Sequence, residues 1–435
     1  MVPTKRFWAL VALGIPIAAL AAMAGSPLLG LVYNLLLIGA AWMTTRMAPS
    51  GKELRLERVF DPVLSVRVPN RVGLKLHNDG VQPVSARLRD EAPVRCEVQG
   101  NEFNFALKAG DETEFHYNVR PLERGVDYFR GTFLRIDCPL GLVQRQVRLT
   151  TEQPVRIYPN VLALKEFDLL RQQGRLRDLG IRRSRTRGLG TEFESLRDYT
   201  LGDDYRKIDW KASGRRGKLV VRQYEQERNQ CVLVVVDVGR HMLAEVDGVR
   251  KLDHVLDSLL MLVNAAAIAG DAIGLLVYAD TVRRYIPPKK GRGQVGAIIE
   301  AIHDLVAEPV ESDAGAALAY LASRWKRRSL LVMFTDVLDG DRAKEVVGSF
   351  GSLARRHLSL LCRVGDPRFR EVLLAPLETR RDMYQKAAAW MLREDAVKAE
   401  GVLQSAGLHT LEAEPQDLAA SLVSYYFMVK ERSLL

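Results

Sequence analysis

Three regimes of hydrophobic and polar spacing follow one another along this chain. Near the N-terminus two apolar runs, Phe7–Ala24 and Leu28–Met43, are separated by Gly25-Ser26-Pro27. Each is close to the lower length for a membrane-spanning helix. Lys5 and Arg6 precede the first run, while Arg46, Lys52 and Arg55 follow the second, and the turn between them is uncharged. Basic flanks on the cytoplasmic side then predict a transmembrane helical hairpin over 1–48, with both ends and the bulk of the chain cytoplasmic. Phe7, Trp8, Trp42 and Arg46 are its candidate membrane residues. A competing reading takes Ala22-Met23-Ala24 as a cleavage site after a signal peptide, leaving the second run as an anchor.

The second regime, 55–160, has short runs with partial period-two alternation, such as Val84–Arg89 and Thr113–Val119. Turn signals Asn78-Asp79-Gly80, Ala109-Gly110-Asp111 and Pro139-Leu140-Gly141 separate them. That spacing predicts a small β-sandwich. Its histidines, His77 and His116, are isolated, so no catalytic set is expected there and a docking or spacer role is.

From Cys231 onward apolar strand runs alternate with helical patterns. Cys231–Val236 and Ser329–Thr335 are apolar enough to be buried on both faces, and each ends at an aspartate, Asp237 or Asp336. Alternation of this kind predicts an α/β (Rossmann-like) domain over 231–435, with a parallel sheet covered on both sides. Ligands in such folds bind at the carboxyl ends of strands, where both aspartates fall. The run Gly291-Arg292-Gly293 lacks the Lys-Ser/Thr pair of a phosphate-binding loop, so any ATP chemistry must come from a partner.

Composition sharpens this picture in two places. The formal net charge is +10, which favours an anionic partner such as a lipid bilayer, an acidic protein or nucleic acid. Much of the excess sits in a connector over 161–187, where Arg171, Arg175, Arg177, Arg182, Arg183, Arg185 and Arg187 face one acid, Asp178. Near a membrane each basic residue gains about 1 kcal/mol from anionic lipid. Nucleic acid is disfavoured, since no aromatic residues interleave with the arginines. The 4 cysteines, Cys96, Cys138, Cys231 and Cys362, form no CxxC pair, so buried thiols are expected in place of a disulfide framework or zinc site.

Between connector and α/β domain lies a charge-dense segment, 188–230. It carries Glu192, Phe193, Arg197 and Tyr199, then Gly202, Asp203, Asp204 and Arg206, then Asp209, Trp210, Lys211 and Arg215. Acids and bases nearly balance, and arginine can fork onto carboxylates, so a paired structural network is expected. The aromatic residues Phe193, Tyr199, Trp210 and Tyr224 are expected to pack it onto the sheet. A second reading uses Asp203, Asp204, Asp209, Asp237 and Asp336 as the acidic cluster of a metal-dependent hydrolase or nuclease.

This segment resembles the signature of domain-of-unknown-function family 58. These are bacterial membrane proteins with a von Willebrand factor type A-like domain, found alongside MoxR-type AAA+ ATPases. The resemblance implies a multi-pass protein of the inner (plasma) membrane. It also implies a non-enzymatic scaffold role beside such an ATPase, in envelope or membrane-complex assembly. Type A domains often hold Mg²⁺ through Asp-x-Ser-x-Ser, a distant Thr and a second Asp. Asp237 and Asp336 match the two acids, but Gly239 and His241 replace the serines, and only Ser312-Asp313 stands near the Thr position. The implied metal site is therefore degenerate.

Overall fold

The computed structural model describes residues 1–435 apart from 24, 26–27, 150–151, 161–162, 165–166, 170–191, 201–202, 226–229, 337–339, 433 and 435. The chain divides into two compact units, Met1–Asn160 and Val161–Leu435. The basic connector Arg171–Arg187 lies outside the described residues.

In the first unit two helices, α1 (Lys5–Met23) and α2 (Leu28–Met47), do form. The expected transmembrane hairpin is overturned, however: among the described residues no helix is long and apolar enough to cross a membrane. The inner-membrane, multi-pass assignment falls with it. The physical reasons lie at the ends of the runs. Helix α1 spends its first turn on Lys5 and Arg6 and contains Pro16, and α2 closes on Thr44, Thr45 and Arg46. Those ends are tied into the β-rich part. The Thr4 hydroxyl donates to the Gly141 and Leu142 carbonyls at 2.7 and 2.9 Å, and Arg145 donates to the carbonyls of Thr45, Ala48 and Pro49. Val2–Pro3 pairs as a short strand with Val143–Gln144.

The rest of the unit is three sheets sharing a core: two antiparallel ones and a small sheet in which Gln153–Tyr158 pairs parallel with Val63–Ser65 and antiparallel with Gly125–Phe129. One antiparallel sheet runs in the order Val2–Pro3, Val143–Leu149, Thr132–Asp137, Val84–Asp90, Glu102–Leu107; the other runs Leu54–Phe60, Asn70–Asn78, Glu112–Pro121, Cys96–Gln99. Alternation decides which side chains enter. Val84, Ala86, Leu88 and Asp90 are buried while Ser85, Arg87 and Arg89 are exposed. Leu74 and Leu76 meet Leu88 and Leu134 in the core. Asp90 is tolerated there because Arg58 forks onto it and the Tyr117 and Thr132 hydroxyls donate to it, satisfying a charge that would otherwise be expensive to bury.

In the second unit, β1 (Glu192–Asp198) and β2 (Val220–Glu225) form an antiparallel pair with an irregularity between Phe193 and Ser195. Helix α3 (Trp210–Arg216) lies between them in sequence. The six-stranded sheet has the order β5-β4-β3-β6-β7-β8. Here β3 is Cys231–Asp237, β4 Ala272–Tyr278, β5 Val282–Lys289, β6 Leu330–Phe334, β7 Leu358–Val364 and β8 His409–Ala413. All neighbours are parallel except β4 and β5. One face packs α4 (Lys251–Ile268), α5 (Arg292–Ile302) and α10 (Pro415–Glu431). The other packs α6 (Ala314–Arg324), α7 (Gly340–Arg356) and α9 (Arg380–Ser405), with α8 (Pro367–Leu374) preceding α9. Every residue of β3 is buried, as its unbroken apolar run requires when helices cover both faces. Burial also pushes the Cys231 thiol up to about 11.

Candidate functional site

The chain leaves β3 toward one edge of the sheet and β6 lies on the other side of it, so the topological switch point falls between them. Asp237 and Asp336 stand there, 1% and 4% exposed. Asp237 is held on both oxygens. Its Oδ1 accepts the Gly239 N–H at 2.8 Å and the Ser312 hydroxyl at 2.5 Å, and its Oδ2 accepts the Thr335 hydroxyl at 2.8 Å. Asp336 Oδ2 accepts from Lys251 Nζ at 2.5 Å, and Oδ1 is buried with no hydrogen-bond partner among the described residues. Lys251 comes from the first turn of α4, and its side chain is 11% exposed.

A divalent cation does not fit this donor set well. An ammonium already neutralises Asp336. A Cβ at Gly239 would lie 1.9 Å from Ser312 Oγ, so the hydroxyl that a serine at 239 would bring is replaced by one reaching in from position 312. His241 is turned to Arg240 and Glu311: Arg240 Nε stands 3.4 Å from His241 Nε2 and 2.6 Å from Glu311 Oε2. Among the described residues no group of three or more His, Cys, Asp or Glu is arranged to hold a metal. Sequence reasoning missed Lys251, which reaches Asp336 across 85 residues with no local motif to mark it; Ser312, noted near the Thr position, meets Asp237 across 75 residues.

An open cavity of about 420 Å³ lies beside this region, at the ends of β7 and β8. Lys251, Arg363, Arg370, Glu412 and Glu414 line it. Arg363 pairs with Glu412 and Arg370 with Glu414, so its rim charges are matched internally.

The charged segment uses its acids differently. Asp203 takes a forked contact from Arg197 at 2.8 and 2.5 Å and also accepts the Thr200 N–H and hydroxyl. The Arg197 hydrogen bond, followed by those from Thr200, holds the Asp203 carboxyl well below the usual carboxylate range. Asp204 accepts the Arg206 N–H and starts a short 3₁₀ turn. Asp209 caps α3 by accepting the Ala212 N–H at 3.0 Å, supplying one of the bonds a helix start lacks. Gly217, in left-handed conformation, closes α3 at its other end. Glu192 and Phe193 lie on β1, Tyr199 is half-buried, and Gly202 lies outside the described residues.

Trp210 departs from expectation. It is 69% exposed, as is Tyr205 at 67%, instead of packing onto the sheet. Arg206, Lys211, Arg215 and Arg216 are exposed around them in sequence. In the N-terminal helices Phe7 is half-buried, Trp8 and Trp42 are exposed, and the Arg46 guanidinium lies 5.0 Å from the Trp42 ring.

Comparison with known proteins adds the following. The model of a family described as "Protein of unknown function DUF58" matches residues 195–381. An uncharacterized protein of Mycobacterium tuberculosis (strain ATCC 25618 / H37Rv) is 25% identical over 183 residues, 42% of this chain and 57% of that protein. An uncharacterized protein of Mycobacterium bovis matches to the same extent, 25% over 183 residues. The chain thus spans 57% of the length of the curated relatives it matches. Among solved structures, the conserved hypothetical protein BatB from Bacteroides thetaiotaomicron is 14% identical, covering 46% of this chain and 98% of that one at a TM-score of 0.31. The CARDB domain of the PF1109 protein from Pyrococcus furiosus, solved in complex with di-metal ions, is 16% identical, covering 24% of this chain and 86% of that one at a TM-score of 0.17.

Proposed function

We propose that the chain is a member of the DUF58 family, whose model matches residues 195–381, and that its second unit has a docking role with no chemistry of its own. The partner that the family resemblance suggests is a MoxR-type AAA+ ATPase, which would supply the nucleotide chemistry. The unit would act as a scaffold through which ATP-driven remodelling reaches a larger assembly.

One observation carries this reading: the segment 192–225 commits Asp203, Asp204 and Asp209 to caps and ion pairs while leaving Trp210 and Tyr205 on the surface. Carboxylates fixed in this way are poorly placed to move protons or share a metal, which weighs against the hydrolase reading. Exposed tryptophan and tyrosine among arginines have the composition of binding hot spots. The strand-end pair supports the same view, since Lys251 supplies the positive charge that a metal would bring to Asp336.

The test is binding of the purified chain to a MoxR-type ATPase in the presence of ATP. Trp210→Ala and Tyr205→Ala should each weaken binding about tenfold or more, as loss of a hot-spot aromatic does. Chelation of divalent ions from this chain before mixing should leave the affinity unchanged. Wild-type affinity in both variants would remove this surface from the interface.

A further inference from the structure

Helix α9 runs for 26 residues and buries Ala389, Ala399 and Leu403. The opposite side should then be polar, yet apart from the exposed Glu394, between Trp390 and Val397, it is largely apolar. Met383, Ala387, Trp390 and Val397 recur there at steps of four, three and seven, the spacing that places side chains in one stripe. Met383, Trp390 and Val397 are 58%, 64% and 60% exposed, with Tyr384 and Met391 at 77% and 65% flanking them. Leu374 and Leu377, just before the helix, are also exposed. An apolar patch of this extent on a folded surface marks an interaction site. The helix that presents it is well anchored: Thr379 and Asp382 form a reciprocal capping box at its start.

Charge along α9 indicates what covers the stripe. Its first half carries Arg380, Arg381 and Lys386 against Asp382 alone, which the cap engages. Its second half carries Glu394, Asp395 and Glu400 against Arg393 and Lys398. A parallel copy of the helix would set like charge over like. An antiparallel copy brings Arg380 and Arg381 toward Glu400 and Lys386 toward Glu394.

We propose that the outward stripe of α9 binds a second copy of this chain, the two helices lying antiparallel about a two-fold axis beside Trp390. A two-fold interface must be self-complementary, and this stripe is. Trp390 meets the partner's Trp390, and Met383 lies over the partner's Val397. Both ends of the contact are then equivalent, and the tryptophan pair forms the buried centre where interface energy concentrates.

Site-directed crosslinking of the full chain tests the geometry. Positions 383 and 397 are about 21 Å apart along one helix, far beyond disulfide reach, so a bridge between them must join two chains. Under mild oxidation the Met383→Cys/Val397→Cys double variant should give a covalent dimer. Each single variant should give about tenfold less, near the background of the wild-type thiols. Adding Trp390→Lys to the double variant should abolish the bridge while the far-UV circular dichroism stays unchanged. Equal bridging by the single variants would mean a parallel or random contact and would overturn the proposal. So would bridging that survives Trp390→Lys, or no bridge at all, which would assign the stripe to a different partner.

Discussion

The two groups of aspartates in the second unit have the same chemistry and opposite physical situations. Asp203, Asp204 and Asp209 lie in a solvated segment, where caps and an arginine fork fix them. Asp237 and Asp336 are buried at the ends of strands, where hydroxyls and a backbone N–H hold Asp237 and one lysine pairs with Asp336. At the surface, water stands ready to replace a lost partner, so each pair matters little alone. In the interior nothing replaces it, and the survivor is left as an unpaired polar group or charge. Density of acids along the sequence therefore points to the wrong group: the sparse, distant pair carries the larger energetic weight.

The largest expected effect follows from Lys251. Lys251→Met strands the Asp336 carboxylate, 4% exposed, without its cation and should cost about 3–5 kcal/mol, as breaking a buried pair does. Urea unfolding of the variant measures this. Lys251→Met/Asp336→Leu removes both charges and should recover most of the loss. A double variant as unstable as the single would show that packing of the lysine stem, and not its charge, is what matters there.

Next comes Gly239. Gly239→Ser places a Cβ 1.9 Å from Ser312 Oγ and 2.9 Å from the Val310 carbonyl. Overpacking of this kind costs about 1–3 kcal/mol. Adding Ser312→Gly should recover part of it, since the hydroxyl clash goes while the Val310 carbonyl remains. Equal unfolding midpoints for wild type and Gly239→Ser would refute the view that Ser312 occupies that space. At the surface, Asp209→Ala removes the cap of α3 and should cost about 1 kcal/mol, again read from the unfolding midpoint.

How much of this the sequence reveals depends on the range of the interaction. Strand β7 forms over Leu358–Val364 as its apolar run indicates, because burial on both faces leaves a continuous local signal. The pattern across 249–269 indicates one helix, but Val249 and Arg250 pair back onto Glu245 and Val246, and the helix begins at Lys251. Lys251 therefore stands at the first position of the helix, where it pairs with Asp336. The N-terminal runs mislead for a related reason: hydropathy registers Phe7–Met43 but not the bonds that Thr4 and Arg145 make to fasten the helix ends. Trp210 misleads in the opposite direction, since aromatic content suggests burial and a seven-residue helix has too little surface to bury it.

The smallest effect separates the two aspartate groups most cleanly, because it concerns pH and not substitution. The Asp203 pKa is depressed in the folded chain by Arg197 and Thr200. Its contribution to stability is therefore complete above the unfolded value of about 3.9 and is lost as pH falls through the lower folded value. Carboxyl resonances followed by NMR should show Asp203 still ionised when ordinary exposed aspartates have taken up their protons. Asp203 is partly exposed and its partner Arg197 is exposed, so the consequence for unfolding should be slight, and Arg197→Gln should return its titration toward the ordinary range with little change in overall stability. If Asp203 titrates with the others in the unsubstituted chain, the arginine fork does not persist in solution. The signature's acids would then be available to a ligand, and the contrast with the closed interior pair would become sharper still.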